Sequence, residues 1–334
     1  MTISAAKPGS QRRILVGGSR GKSSIVRLLY AAMHAAGLQT YARITGVIPR
    51  ELGPHGSREI SRSAGAHVGE MRWWLRQLPA AAQGIVLENS AITADFQGLA
   101  GRWLRPEVTV LANALPDHQE LWGPTAICAA AVLAGGIPER GLVILPAGLQ
   151  TDQHLLELLG RRRCRILFAE PVSVAEEPYR AINLGLALAT VASLGLARTP
   201  ALQAMLRVPP DRYDFHVGLC GGAQVAMAFS ANDITSTQAL FRSLKWSADE
   251  TRLLYNHRAD RPGRFKSFVN WLSQAPWREV LVIGDRPRTR CASARYVNIK
   301  NEQGLVRLFQ PGDRIFGCGN ITGLPLSLAA DLDR

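Results

Sequence analysis

The stretch from Arg13 to Ala36, RILVGGSRGKSSIVRLLYAAMHAA, restricts the possible folds more than any other part of the chain. Its apolar run Ile14-Leu15-Val16 meets two glycines, a Ser-Arg pair and Gly21-Lys22-Ser23-Ser24, after which Ile25, Leu28, Leu29 and Ala32 recur at helical spacing. The order is strand, tight loop, helix. Glycines let backbone N–H groups crowd around phosphate oxygens, and the helix N-terminus adds partial positive charge. Lys22 then reaches the outer phosphates, and the Ser23 hydroxyl is offered to Mg²⁺. The strict form of this loop has glycine where the chain has Val16, so the match is to the shorter run Gly18-Ser19-Arg20-Gly21-Lys22-Ser23, with Ser24 following. A glycine turn capped by serine is the ordinary alternative. The strand and helix on the correct sides favour a nucleoside-triphosphate loop.

At 334 residues the chain exceeds what one core usually serves, which predicts two domains, and 47% hydrophobic content supports full cores. The opening MTISAAKPGSQRR is polar, and no later run approaches the ~18 apolar residues of a membrane helix, so a soluble, cytoplasmic protein is expected. Five scattered cysteines without CxxC spacing indicate neither a disulfide framework nor a zinc site, and read as buried reduced thiols. The net charge is +13, and only five of the 39 basic residues are lysines. The arginines are dispersed apart from Arg161-Arg162-Arg163, with no aromatic-interleaved basic motif, so solvated surface is the reading and no nucleic-acid partner is expected.

Along the chain, Leu38 to Thr45 reads as a second strand, and ITGVIPRELGPHGSREI, rich in glycine and proline, as an irregular loop over the site. GAHVGEMRWWLRQL leads into an amphipathic helix, and the strand Ile85-Val86-Leu87 ends at Glu88. Val108 to Ala112 is a further strand, with Asn113, Asp117 and His118 after it. In a parallel sheet such strand ends form the ligand crevice, so both aim oxygen or nitrogen ligands at the phosphate loop. Leu142 to Leu145 reads as a strand, and residues 151–160 and 181–195 as helices. The break at Val208-Pro209-Pro210-Asp211-Arg212-Tyr213 places a boundary between residues 1–207 and 208–334. Beyond it AQVAMAFS, TRLLYNH and EVLVIGD are apolar strands, separated by helices starting near Thr235 and Arg264. The predicted fold is α/β: a P-loop ATPase domain with a mainly parallel sheet, then a smaller Rossmann-like α/β domain.

The pieces SRGKSS, ITGVIPR, GAHVGE, ENSAITADFQ, NALPDHQELWGPT, NDITST, NHRADRPGR and FGCGNITG occur in one order from about residue 14 to 323. In them the chain resembles the Mur ligase superfamily, whose members join a carboxylate to an amine at the expense of ATP. Within it, the likeness is to the ligase component of bacterial poly-γ-glutamate synthase. The resemblance implies that Lys22 binds the β- and γ-phosphates and that Ser23, Glu88 and His118 serve Mg²⁺ sites. It implies further that Arg212 is the arginine that swings onto the nucleotide from the C-terminal domain, and that Asp233 holds the ribose. ATP would then lie between the two domains. Arg258, Asp260, Arg261 and Arg264 of RADRPGR suit an amino-acid carboxylate or a polyanionic chain.

Each residue has an ordinary alternative. Glu88 is then a solvated strand-end acid, His118 a turn histidine satisfied by Asp117, Arg212 part of a surface turn, Asp233 a helix N-terminal residue, and RADRPGR a solvated turn. The chain has no lysine between Lys22 and Lys245, so the carbamylated lysine of many Mur enzymes has no counterpart. It also starts directly at the ATPase strand, without the domain that murein ligases use for a uridine nucleotide. Cell-wall precursor synthesis is therefore not the expectation. Polyglutamate ligases usually begin with a membrane-spanning segment. None is seen here, so attachment at the inner membrane would come through a partner, a small integral-membrane synthase subunit. The expected activity is an ATP-dependent amide (isopeptide) ligase acting on glutamate or a related amino acid through an acyl phosphate. A P-loop phosphotransferase, a nucleotide-gated binding protein and a nucleic-acid-binding ATPase are the alternatives, and homo-oligomerisation stays open.

Overall fold

The structure is a computed structural model that describes residues 11–62, 65–173, 178–231 and 233–332. It divides into two compact units, one ending at Pro209 and the other beginning at Pro210. The first contains β1 (Arg12–Gly17), α1 (Lys22–Ala35), β2 (Thr40–Ile44), β3 (Arg50–Gly53), β4 (Gly56–Glu59), α2 (Glu70–Gln77), β5 (Gly84–Glu88) and α3 (Ala94–Leu104). It continues with β6 (Val108–Leu111), α4 (Gln119–Trp122), α5 (Ala126–Gly135), β7 (Leu142–Pro146), α6 (Gln153–Arg161), β8 (Arg165–Ala169), α7 (Pro178–Ser193) and α8 (Arg198–Leu206).

The eight strands form one sheet in the order β4-β3-β2-β5-β1-β6-β7-β8. From β2 to β8 the neighbours are parallel. Side chains of β1 alternate between two cores, as a strand covered on both faces must. Ile14 and Val16 pack with Ile25, Leu29 and Met33 of α1, whereas Leu15 packs with Leu87, Met71, Trp74 and Leu104 on the opposite face. β1 therefore sits between β5 and β6 with its loop emerging at the carboxyl edge, where Val16 pairs with Glu88.

One expectation is corrected here. The segment read as an irregular loop contains an antiparallel hairpin, β3–β4, which extends the sheet beyond β2. Gly53 pairs with Gly56 around the two-residue turn Pro54-His55, so the glycines and proline that argued for irregularity are the turn chemistry of a hairpin. Leu52 packs on the core, and the Tyr30 hydroxyl donates to the Gly53 carbonyl at 2.7 Å. α3, α5, β8 and α8 are further elements that the patterning did not separate.

The second unit contains β9 (Val217–Cys220), β10 (Ala223–Met227), α9 (Ile234–Ser243), β11 (Thr251–His257), α10 (Pro262–Gln274), β12 (Glu279–Gly284), β13 (Ala294–Tyr296), α11 (Glu302–Val306), β14 (Arg314–Gly319) and α12 (Leu324–Asp331). Its six-stranded sheet runs β13-β12-β11-β14-β10-β9, parallel except for the β9–β10 pair. The sequence reading quoted FGCGNITG as a motif and did not recognise the central strand β14 in it. Its glycine is a packing requirement: a Cβ on Gly317 would lie 2.2 Å from the Phe229 ring. Opposite the carboxyl edge, the buried Asp313 carboxylate accepts from Arg252 at 2.6 Å and Arg278 at 3.1 Å.

Cys291 and Cys318 are buried as expected, but Cys128, Cys164 and Cys220 are only half-buried. Those three lie in the first turn of α5, just before the edge strand β8 and at the end of the edge strand β9. Among the described residues no helix is long and apolar enough to cross a membrane.

Candidate active site

The loop after β1 takes the shape that its glycines allow. Gly18 has φ 122° and Gly21 has φ 75°, and a Cβ on Gly18 would stand 3.0 Å from the Ala112 Cβ. Only glycine meets both demands. Two residues at the end of β6 hold the loop from outside. Asn113 accepts from the Arg20 N–H at 3.3 Å and donates to the Arg20 carbonyl at 3.1 Å, and Ser19 Oγ donates to the Leu115 carbonyl at 2.5 Å.

Lys22 opens α1 and turns its ammonium back over this loop, donating to the carbonyls of Gly18 at 2.7 Å and Ser19 at 3.2 Å. Desolvation lowers its pKa, and the charges of Glu88 and Asp117 oppose that shift. A desolvated cation on neutral carbonyls has more to gain from an anionic oxygen. Beside it, Ser23 Oγ donates to Glu88 Oε2 at 2.8 Å. Thr45, just past β2, donates to the same carboxylate twice: its N–H to Oε2 at 3.1 Å and its hydroxyl to Oε1 at 2.6 Å. Glu88 is 3% exposed. Ser24 follows in the first turn of α1.

His118 has the left-handed backbone φ 43°, ψ 45° at the start of α4. Its N–H donates to Asp117 Oδ1 at 2.9 Å, its ring stands 3.9 Å from Asp117 Oδ2, and the ring packs on Trp122. Among the described residues there is no group of three or more His, Cys, Asp and Glu side chains of the kind that cages a metal. The donors present are hydroxyl and carboxylate oxygens beside a phosphate loop. That set fits Mg²⁺, which takes one or two carboxylates and fills its remaining positions with water and substrate phosphate.

The second unit carries the other candidates. Arg212 is exposed in the turn after Pro210. Asp233 caps α9, its Oδ1 accepting from the Ser236 N–H at 2.8 Å. Arg258 is held by both oxygens of Asp260, at 2.9 and 2.6 Å, and donates to Thr322 Oγ1 at 3.1 Å. Arg264 donates to Asn320 Oδ1, and Arg261 stands at the N-terminus of α10. The structure thus brings Lys22, Ser23 and Glu88 together, and separately Arg258, Asp260 and Arg264, around the carboxyl edges of the two sheets.

The sequence reading missed residues in both groups. Thr45 lies inside ITGVIPR, but only the pairing of β2 with β5 brings it to Glu88. Asn256 and Asn320 bind each other across β11 and β14: Asn256 Nδ2 donates to the Asn320 carbonyl at 2.6 Å, and Asn320 Nδ2 to the Asn256 carbonyl at 3.0 Å. Beside them His257, 5% exposed, has a pKa lowered by burial against the pull of Asp285 and Asp260.

Residues 219–334 match the family of the poly-gamma-glutamate synthase CapB C-terminal domain. Over 93% of its length the chain is 25% identical to PGA synthase CapB of Bacillus subtilis, spanning 87% of that protein. A bifunctional folylpolyglutamate synthase/dihydrofolate synthase, solved with Mn, AMPPNP and L-glutamate bound, superimposes with a TM-score of 0.66 at 14% identity, covering 96% of this chain and 90% of that one. MurF from Acinetobacter baumannii gives 0.65 at 14% identity, covering 97% of this chain and 77% of that one. The fold is that of these ligases, and the resemblance carried by the motifs is borne out: the chain is similar to the Mur ligase superfamily and, within it, to the poly-γ-glutamate synthase CapB proteins.

Proposed function

We propose that the protein is an ATP-dependent amide ligase that joins glutamate, or a related amino acid, to a carboxylate and releases ADP and phosphate. The observation that supports this most is the joint placement of Lys22 and Glu88. A desolvated ammonium rests on the loop's own carbonyls, next to a buried carboxylate held by Ser23 and Thr45. On binding ATP, the Lys22 ammonium exchanges those carbonyls for phosphate oxygens, and the loop's backbone N–H groups take the rest of the charge. Ser23 and Glu88, with His118 after β6, are the residues that would hold Mg²⁺, which would supply neutralisation of the triphosphate charge. A carboxylate oxygen of the donor then attacks the γ-phosphorus, the bond to ADP breaks, and an acyl phosphate forms. The amine of the second substrate attacks the acyl carbon, the C–N bond forms, and phosphate leaves with the electron pair of the C–O bond. A proton is lost from the amine.

Glutamate as the amine substrate is supported by the CapB likeness and by the bound L-glutamate of the folylpolyglutamate synthase neighbour. Arg258, Arg261 and Arg264, with Asp260 orienting Arg258, are the residues we assign to its carboxylates, because a guanidinium fork matches a carboxylate bidentately. Export of a polymer would call for a small integral-membrane partner at the inner membrane. The phosphotransferase and nucleic-acid-ATPase alternatives are not favoured by any of the comparisons.

The test is phosphate release from ATP across a panel of amino acids, with mass analysis of the products. Release that depends on glutamate, together with products heavier by glutamyl units, is expected. Turnover indifferent to every amino acid would overturn the reading. Arg261→Lys keeps the charge and loses the fork, so it should raise the glutamate requirement several-fold while leaving ATP binding unchanged.

A further inference from the structure

A second polar site lies on the α2 face of the first sheet. A pocket of about 940 Å³, within the size range of small-molecule sites, is lined by Arg43, Arg62, His67, Glu70, Trp73 and Trp74 among others. Arg43 is 1% exposed, an unusual position for a guanidinium. Its Nη2 donates to Glu70 Oε2 at 2.5 Å, and Arg62 donates to the same oxygen through Nε at 3.1 Å and Nη2 at 2.8 Å. The other oxygen of Glu70 accepts from the His67 N–H at 2.9 Å. Two guanidiniums thus share one carboxylate, although the lining as a whole carries as many acids (Glu51, Glu59 and Glu70) as arginines (Arg43, Arg58 and Arg62). Among the described residues, Arg43 Nη1 is buried with no hydrogen-bond acceptor. Leaving a buried donor unmatched is costly, so an acceptor brought by a ligand would be favoured here. Of the other two acids in the lining, Glu51 accepts from Trp74 Nε1 at 2.5 Å and from Arg58 at 3.3 Å, and Glu59 is exposed on the edge strand β4.

The pocket also has a flat apolar wall. Trp73 is 55% exposed and stacks on the His67 ring with 5.6 Å between centroids. Its position relative to the phosphate loop follows from the sheet register. Arg43 pairs with Leu87, the residue before Glu88, and Thr45, whose hydroxyl binds Glu88, follows two residues later, just past the end of β2. That separation is about 7 Å at the rise of a β-strand.

We infer that this pocket holds the carboxylate-bearing acyl chain whose end is activated beside Glu88, with Arg43 and Arg62 taking a chain carboxylate and Trp73 covering its methylene and amide stretch. The inference rests on the ligase reading for the identity of the chain, an oligo-γ-glutamyl segment, but not for the presence of the site. The pocket is larger than a single amino acid needs, and the guanidiniums favour an acid over an amide at its inner end.

The test uses the full chain and tri-γ-L-glutamate, without nucleotide, followed by titration calorimetry and tryptophan fluorescence. Binding is expected, and Arg62→Gln and Trp73→Ala should each weaken it at least tenfold. In turnover the same variants should raise KM for tri-γ-glutamate by a similar factor, with KM for ATP changed less than twofold. Both positions are partly or largely exposed, so these variants should fold even where Arg43→Lys does not. The tripeptide with its carboxylates amidated should not compete. Unchanged affinity in both variants, or equal binding of the amidated peptide, would overturn the inference while leaving the ligase reading intact. Binding that follows the variants in a protein showing no amino-acid-dependent ATP use would support the pocket and sink the ligase reading instead.

Discussion

At the carboxyl edge of the first sheet a buried carboxylate takes three hydrogen bonds beside a desolvated ammonium. At the carboxyl edge of the second, neutral amides lock two strands together, and arginines are mounted on that brace. Both edges arise in the same way, since parallel strands deliver their last residues and following loops to one side. What differs is the chemistry loaded onto them. The first edge has backbone N–H groups, Lys22 and Glu88, which suit a polyphosphate with its cation. The second has forks already aligned by Asp260 and Asn320, which suit a carboxylate. The lesson is that the α/β plan supplies the location, and a few side chains per edge set which charge it receives.

The largest break in this comparison should come from Lys22→Ala, which removes the ammonium from the first edge alone. A loss of about 3 to 4 kcal/mol in activation free energy, or roughly 10²- to 10³-fold in turnover, is expected in steady-state ATPase measurements. Unaltered turnover would remove the phosphate loop from the site.

The second unit should respond in stability, through the end of its sheet opposite Arg258 and Arg264. Asp313→Asn leaves the Arg252 cation short of its buried partner and should cost about 3 kcal/mol in urea unfolding. Burial pulls the Asp313 carboxyl up in pKa, but hydrogen bonds from Arg252 and the Gln310 N–H, with the Arg252 and Arg278 charges, outweigh it and hold it below the ordinary value. The folded state therefore binds its proton less readily than the unfolded state. That contribution is present above the unfolded value and is lost as the pH falls through the folded one, a dependence that Asp313→Asn should abolish.

A finer probe of the first edge is Thr45→Val, which keeps the shape and deletes the hydroxyl that donates to Glu88. Loss of a hydrogen bond to a charged group should raise the Mg²⁺ requirement about tenfold, read from activity against metal concentration. An unchanged requirement would mean that Glu88 is oriented by Ser23 and the backbone alone.

The smallest effect should come from His257 at the second edge. Burial depresses its pKa below the ordinary histidine value. The unfolded chain therefore takes up a proton first as the pH falls below about 6.5, and stability declines there. His257→Asn should flatten that slope between pH 6.5 and 5 in thermal unfolding. An identical slope in the variant would assign the decline to other groups.

Much of the first edge was legible before any coordinates. Lys22, Ser23 and Glu88 were read from a strand, a glycine loop and a strand-end acid, and they meet as that pattern implies. The hairpin β3–β4 was misread because proline and glycine mark a turn as well as disorder of pattern, and only pairing with β2 distinguishes the two. β14 was missed because the packing of Phe229 demanded a glycine where strand propensity opposes one.

By itself the sequence determined the local devices: where the chain turns on glycine, where a helix begins on Lys22, which strands are apolar throughout, and where a proline pair ends one run of elements. These depend on φ, on capping and on the period of side chains, all properties of neighbouring residues. Tertiary structure decided which strand ends become neighbours. Thr45 reaches Glu88 across 43 residues of chain, and Arg43 with Arg62 converges on Glu70. Those contacts depend on the strand order β2-β5-β1-β6, which is set by how helices cover both faces of the sheet and is written in no single segment.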